Sequence, residues 1–299
     1  LLLVKVTNIN SCYKEKFFIN YELIYENLKI GIRMSKISIF FQILTKSIFK
    51  PKLVKNLVEE RAQTQENEEH KTHKYEYDFN SIEDYLTTTF PNYDFNQYEQ
   101  ELEELESYVG KFFKKLESEK YPSKKKPYPV NYSINSDSRR FLYHLCRIIK
   151  PKNIIETGIA YGTSSAYILK ALHDNGKGTL HSIDSVFRPW QSEKMIGSVI
   201  PENLKNKWNL VLGKSNEKLE KLFGDVSDVE IFIHDSLHTY KNMMFEFETA
   251  LQKIRNNGII ISDDVLENDA FHDFSKNKNL ESVLIKVKEN VGLGIIKKN

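Results

Sequence analysis

Residues 153–165 read Asn-Ile-Ile-Glu-Thr-Gly-Ile-Ala-Tyr-Gly-Thr-Ser-Ser. A short apolar run ends in an acid, a glycine-spaced loop follows, and a helical stretch, 163–174, begins at once. Strand, loop and helix in this order open a β-α-β unit. Gly158 permits a tight turn, and Gly162 lets a backbone approach a ligand closely. The free N–H groups of a loop entering a helix suit an anionic ligand group. The loop is not the G-x-G-x-x-G dinucleotide fingerprint, nor a phosphate loop ending in Gly-Lys-Ser/Thr.

Downstream, the pattern repeats. Strands are expected at 179–184, 208–213, 230–235 and 258–264, with helices at 216–223 and 239–255, and a helix at 136–149 precedes the first strand. Two further strands, 282–287 and 293–297, flank a short Asn-Val-Gly turn and should pair antiparallel at one edge. The expected fold is α/β: a doubly wound, mostly parallel seven-stranded sheet with an antiparallel last strand, plus a helical N-terminal extension. Ligands of such sheets sit beyond the carboxyl ends of the strands. Here those ends carry Glu156, Asp184, Asp235 and the pair Asp263-Asp264. Carboxylates gathered without basic partners repel, and need a cation, hydroxyl donors or backbone amides.

Asp184 lies 26 residues after Gly158, at a strand end, where an acid can accept hydrogen bonds from both hydroxyls of a ribose. Gly213-Lys214-Ser215 would border an adenine. Asp235 and His238 stand three residues apart after the fourth strand. Three carboxylates, Asp235, Asp263 and Asp264, suit Mg²⁺ or another divalent ion better than zinc. Such a metal would lower the pKa of a substrate hydroxyl. His238 would remove its proton. His234 is a rival base, but strand alternation should turn it away from the face of Asp235.

E-x-G-x-x-x-G-x-S (156–164), Leu-His-Ser-Ile-Asp (180–184), D-x-x-H-x-Y (235–240) and G-x-x-x-x-D-D (258–264) together resemble a class I S-adenosylmethionine-dependent methyltransferase. More narrowly they are similar to bacterial methyltransferases that include the macrocin-type sugar O-methyltransferases; cephalosporin-hydroxylase-like proteins share much of the pattern. The resemblance spans roughly 136–298 and implies a Rossmann-like sheet. It assigns Glu156, Gly158, Tyr161, Gly162, Ser164, Asp184 and Ser215 to the cofactor, His238 with Asp235 to catalysis, and Asp235, Asp263 and Asp264 to Mg²⁺. This chain has Gly-Lys-Ser where related sequences often have Gly-Asp-Ser. The acceptor implied is a hydroxyl of a sugar, glycan or other small metabolite. A metal-independent O- or N-methyltransferase, and a cofactor-binding partner without turnover in a glycan-assembly complex, remain as alternatives.

The chain has 299 residues, and 43 Lys+Arg against 41 Asp+Glu leave a net charge of +2. That balance lacks the basic excess of a nucleic-acid binder, so no nucleic-acid partner is expected. Cys12 and Cys146 have no metal-ligand spacing, and a reducing, cytoplasmic setting fits. No apolar run is long enough to span a membrane.

The expected organisation is an extension over 1–60, a linker and helical cap over 61–135, and the catalytic domain over 136–299. The first methionine is Met34; residues 1–33 are read as either native or an upstream extension of the reading frame, without a signal peptide. Residues 34–58 read as a basic amphipathic helix, which either docks on protein or lies peripherally on an anionic membrane. Residues 61–75 are polar, lack periodicity and read as linker. Tyr98, Leu102, Leu105, Val109, Phe112 and Leu116 mark one helical face. A homo-oligomer stays open.

Overall fold

The computed structural model describes residues 51–70, 78–130, 133–188, 190–288 and 291–299. Residues 55–299 form one compact unit; residues 1–54 form another, described only at 51–54. Most of the expected amphipathic helix over 34–58 therefore lies outside the described residues.

An eight-stranded sheet organises the chain. Its strands are β1 (Phe79–Asn80), β2 (Asn153–Thr157), β3 (Thr179–Asp184), β4 (Trp208–Leu212), β5 (Val229–His234), β6 (Ile259–Ser262), β7 (Ser282–Lys288) and β8 (Val291–Lys297), in the order β1-β7-β8-β6-β5-β2-β3-β4. All neighbours pair parallel except β8, which runs antiparallel to both β6 and β7. The Rossmann-like sheet with an antiparallel last strand is borne out. The eighth strand, β1, was not expected: two residues are too few to show a period of two.

Side chains along the strands alternate between two cores. Ile154, Ile231, Ile233, Ile261, Leu293 and Ile295 face one side, with α4 (Glu103–Glu117), α5 (Ser136–Ile149) and α6 (Thr163–Asp174). Ile155, Phe232, Ile260 and Ile296 face the other, with α7 (Ser215–Asp225), α8 (Tyr240–Lys253) and α9 (Ala270–Asn277). This is the period-two signature of strands covered on both faces. Burying both faces supplies the main driving force, about 25 cal/mol per Å² of apolar surface.

Three more helices precede the sheet's centre: α1 (Pro51–Asn67), α2 (Ile82–Thr89) and α3 (Phe95–Gln100). Ser81 caps α2 by accepting from the Asp84 N–H, Asp94 caps α3 through Gln97, and Asn135 caps α5 through Ser138. Such caps each contribute about 0.5–2 kcal/mol. The face marked by Leu102, Leu105, Val109 and Leu116 is buried as expected. The helix is broken, however, and α3 ends before α4 begins. Residues 61–67, read as linker from their polarity, instead continue α1. Their contacts are polar, so hydrophobic periodicity could not reveal them.

Gly292 and Gly294 give β8 its place. A Cβ on Gly294 would lie 2.3 Å from the Phe271 ring of α9. Gly294→Ala should lower stability by about 1–3 kcal/mol through overpacking. Phe271→Leu in the same chain should return part of that loss. Urea unfolding of the single and double variants checks both; an additive double variant would mean that the strain lies elsewhere.

Candidate functional site

A cavity of about 830 Å³ opens along the carboxyl edge of the sheet, lined by Gly158, Asp184, Gly213, Asp235 and Asp263 at the ends of β2 to β6. That is the place where parallel sheets bind ligands. Its walls include Asn56, Glu59, Glu60 and Gln63 of α1, and Pro127, Tyr128 and Pro129 of the segment before α5.

The loop between β2 and α6 is set by two glycines. Gly158 has φ +83°, and a Cβ there would sit 1.9 Å from the Asp235 carbonyl oxygen. Gly162 has φ +90° and begins α6. A Cβ there would meet Gly197 at 2.8 Å and Ile200 at 3.0 Å. Gly162 therefore admits another part of the chain, where the sequence reading had a ligand.

Asp184 holds this loop. Its Oδ2 accepts from the Ile159 N–H at 3.1 Å and the Ala160 N–H at 2.9 Å, and its Oδ1 from the Ser185 N–H at 2.6 Å. Burial pushes its carboxyl up, and these three N–H groups work against that. Both carboxylate oxygens of Asp184 are thus engaged by backbone N–H groups.

Four residues assigned to the cofactor, Glu156, Tyr161, Gly162 and Ser164, do not line the cavity. Glu156 is fully buried and accepts from Ser164 at 2.5 Å, Ser165 at 2.6 Å and Ser182 at 3.0 Å. Ser164 is thereby committed to Glu156. Tyr161 is buried, and its hydroxyl donates to the Tyr128 carbonyl at 2.9 Å. Gly158, Asp184, Ser215, Asp235, His238, Asp263 and Asp264 do line it.

At the catalytic edge, His238 stands between two carboxylates. Its Nδ1 is 3.3 Å from Asp264 Oδ2, and its Nε2 is 3.6 Å from Asp235 Oδ1. The latter is too long for a hydrogen bond, and Nε2 is buried without a partner. Burial, with His234 nearby, lowers His238 to about 4, so the ring is neutral at pH 7. Burial and the neighbouring acids raise Asp235 well above the carboxylate range. Burial and Asp264 push Asp263 to about 8.

The chemistry of these acids fits a hard divalent cation: they are costly together, and Asp263 Oδ1 is buried without a hydrogen-bond partner. Among the described residues, no three acids, histidines or cysteines are close enough together to hold an ion as they stand.

His234 lies behind the cavity. Its Nδ1 is 2.7 Å from Glu246 Oε2, and its ring centroid is 5.3 Å from that of His238. Glu246 also accepts from Thr157 at 2.6 Å, Ser236 at 2.7 Å and Asn242 at 3.1 Å. Sequence reasoning missed Glu246. The available signal was an acid between Met243 and Phe247, on the apolar face of α8. It also missed the acids of α1, whose signal was the spacing 56, 59, 60, 63.

Residues 155–265 match the family model described as a methyltransferase domain. In fold the chain is similar to the O-methyltransferase TomG from Streptomyces achromogenes in complex with SAM, at 14% identity, covering 74% of this chain and 97% of that one, with a TM-score of 0.51. It is likewise similar to cofactor-bound Rv0187 from MTB, at 13% identity, 73% and 97% coverage and a TM-score of 0.50. No curated protein sequence matches the chain. The domain match bears out the methyltransferase expected from sequence, and the fold bears out its Rossmann-like sheet. Among the described residues no helix is long and apolar enough to cross a membrane.

The buried Glu246 makes stability depend on acid. Burial pushes its carboxyl up, but the His234 ring and the hydroxyl donors outweigh it and hold it at about 2, below its ordinary 4.5. The stabilisation is present above pH 4.5 and disappears as pH falls through the folded value, and is on the order of 3 kcal/mol at neutral pH. Glu246→Gln should be less stable at pH 7 and should lack this part of the acid limb. Thermal melts between pH 7 and pH 2 read the difference. Parallel curves for the two proteins would refute the assignment.

Proposed function

We propose that this chain is an O-methyltransferase that moves the methyl group of S-adenosylmethionine to a hydroxyl of a sugar or other small polar metabolite, with His238 as base. The observation that carries the reading is the unpartnered, neutral His238 Nε2 at the edge of a cavity that also contains Gly158 and Asp184. Bound S-adenosylmethionine supplies an electrophilic methyl on a cationic sulfur.

The chain's own residues do the rest. With its proton on Nδ1 directed at Asp264, the imidazole presents Nε2 as an acceptor. It takes the hydroxyl proton as the oxygen attacks the methyl carbon. The imidazolium so formed lies against Asp264, whose charge stabilises it. The Gly158 loop and Asp184 shape the cofactor's side of the cavity. Asp235, Asp263 and Asp264 would hold a divalent cation, which would lower the pKa of the acceptor hydroxyl. Support for the cation is the donor chemistry and the open oxygen of Asp263.

His238→Ala should lower turnover by about 10²–10⁴-fold, the usual worth of a positioned base. Its affinity for S-adenosylhomocysteine should stay near that of the wild type. Single-turnover assays over a panel of hydroxylated acceptors, with calorimetry of the product complex, measure both. Full activity of the variant would remove the base. EDTA, followed by added Mg²⁺, tests the cation separately: activity lost and then restored supports it, and activity unchanged leaves His238 acting alone.

A further inference from the structure

The helix α1 crosses the cavity with an unusual face. The side chains of Asn56, Glu59, Glu60, Gln63 and Asn67, spaced 3, 1, 3 and 4, are its covered ones, and all are polar. Its described apolar side chains point away: Val58 is 63% exposed and Ala62 is exposed. Helices usually dock through an apolar stripe. Here, among the described residues, polar links do the holding.

These links span the carboxyl edge from end to end. Glu59 takes Lys214, just after β4, at 2.5 Å, and Glu60 takes Arg188, just after β3, at 2.6 Å. Gln63 accepts from the Thr239 hydroxyl at 2.9 Å, beside His238, and Asn67 accepts from the Tyr240 N–H at 2.7 Å. The cavity thus lies under a helix tied to both of its rims. Such ties are weak one by one, since partly exposed ion pairs are screened by water and by salt. Among the described residues, displacing them exposes little apolar surface, whereas a helix packed through Leu or Phe would draw those side chains into water. The arrangement suits repeated opening.

We propose that residues 55–67 form a lid over the cofactor cavity, latched by Glu59 on Lys214 and Glu60 on Arg188, and that the latch sets how long the cofactor stays. The inference rests on the cofactor reading above. Glu59 and Glu60 are positioning residues: they hold the helix, and the helix retains what lies beneath it. The two latches also neutralise Lys214 and Arg188 in the closed state.

The test uses the full chain with S-adenosylhomocysteine and S-adenosylmethionine as probes. The double variant Glu59→Gln, Glu60→Gln should release S-adenosylhomocysteine about 3–30-fold faster, in line with two latches of this strength. Added KCl should speed release from the wild type more than from the variant. Hydrogen exchange reads the helix directly: the amides of 55–67 should exchange faster in the variant, while those of β2, β5 and β6 keep their protection. That unchanged sheet shows the variant is folded. In the wild type, bound S-adenosylhomocysteine should slow exchange in 55–67. A wild-type off-rate together with wild-type exchange in 55–67 would overturn the lid. Failure of the wild type to bind either probe would instead overturn the cofactor reading itself.

Discussion

The Gly158 peptide and the Asp235 carbonyl approach so closely that no side chain fits between them: a Cβ would come within 1.9 Å. Three consequences follow. The loop after β2 is pressed against the end of β5, which brings the two halves of the cavity together. Asp235 and His238 emerge at that same point. The loop, forced into a left-handed turn at Gly158, aims the Ile159 and Ala160 N–H groups at Asp184. The carboxyl ends of β2, β3 and β5 are thereby coupled through backbone. Gly158→Ala would break all three relations at once.

Two fully buried acids hold the floor beneath this junction. Glu156 takes three serine hydroxyls, and Glu246 takes a histidine and neighbouring hydroxyl and amide groups. Each is satisfied by donors from more than one element, so each fixes element spacing as well as charge. A half-satisfied buried acid would cost several kcal/mol. Serine and threonine at the strand and helix ends are therefore structural necessities here. On the far side of α5 a second polar set ties the cap to the sheet layer. Glu99, Glu101 and Glu106 pair with Arg140, Arg147 and Arg139.

Above the junction the chemistry changes character. The floor is rigid and buried, whereas the roof, α1, is polar and partly exposed. A transferase needs both: a fixed geometry where the methyl moves, and a cover that excludes water yet lets the product leave. His238 sits where the two meet. Its Nδ1 lies against Asp264 at the end of β6, and the next residue, Thr239, bonds to Gln63 of the roof. Closure of α1 and the environment of His238 are in this way physically adjacent.

The sequence determined the strand and helix order, because periods of two and 3.6 are local properties of the chain. It also showed which strand ends carry acids, and so located the cavity and the residues Asp184, Asp235, His238, Asp263 and Asp264. It could not show which polar groups find one another. Glu156, Tyr161 and Ser164 sit in a motif that suggests ligand contact, but the fold directs their side chains into buried protein partners. Glu246 looked like one acid among the packing residues of α8 until the fold set His234 and Thr157 beside it. The helix through residues 61–67 and its place over the cavity depend on ion pairs between residues 128 and 155 positions apart. Hydrogen bonds and charges have no sequence period. Only the tertiary structure decides their partners, because each pairing is set by distance and burial and not by neighbours along the chain.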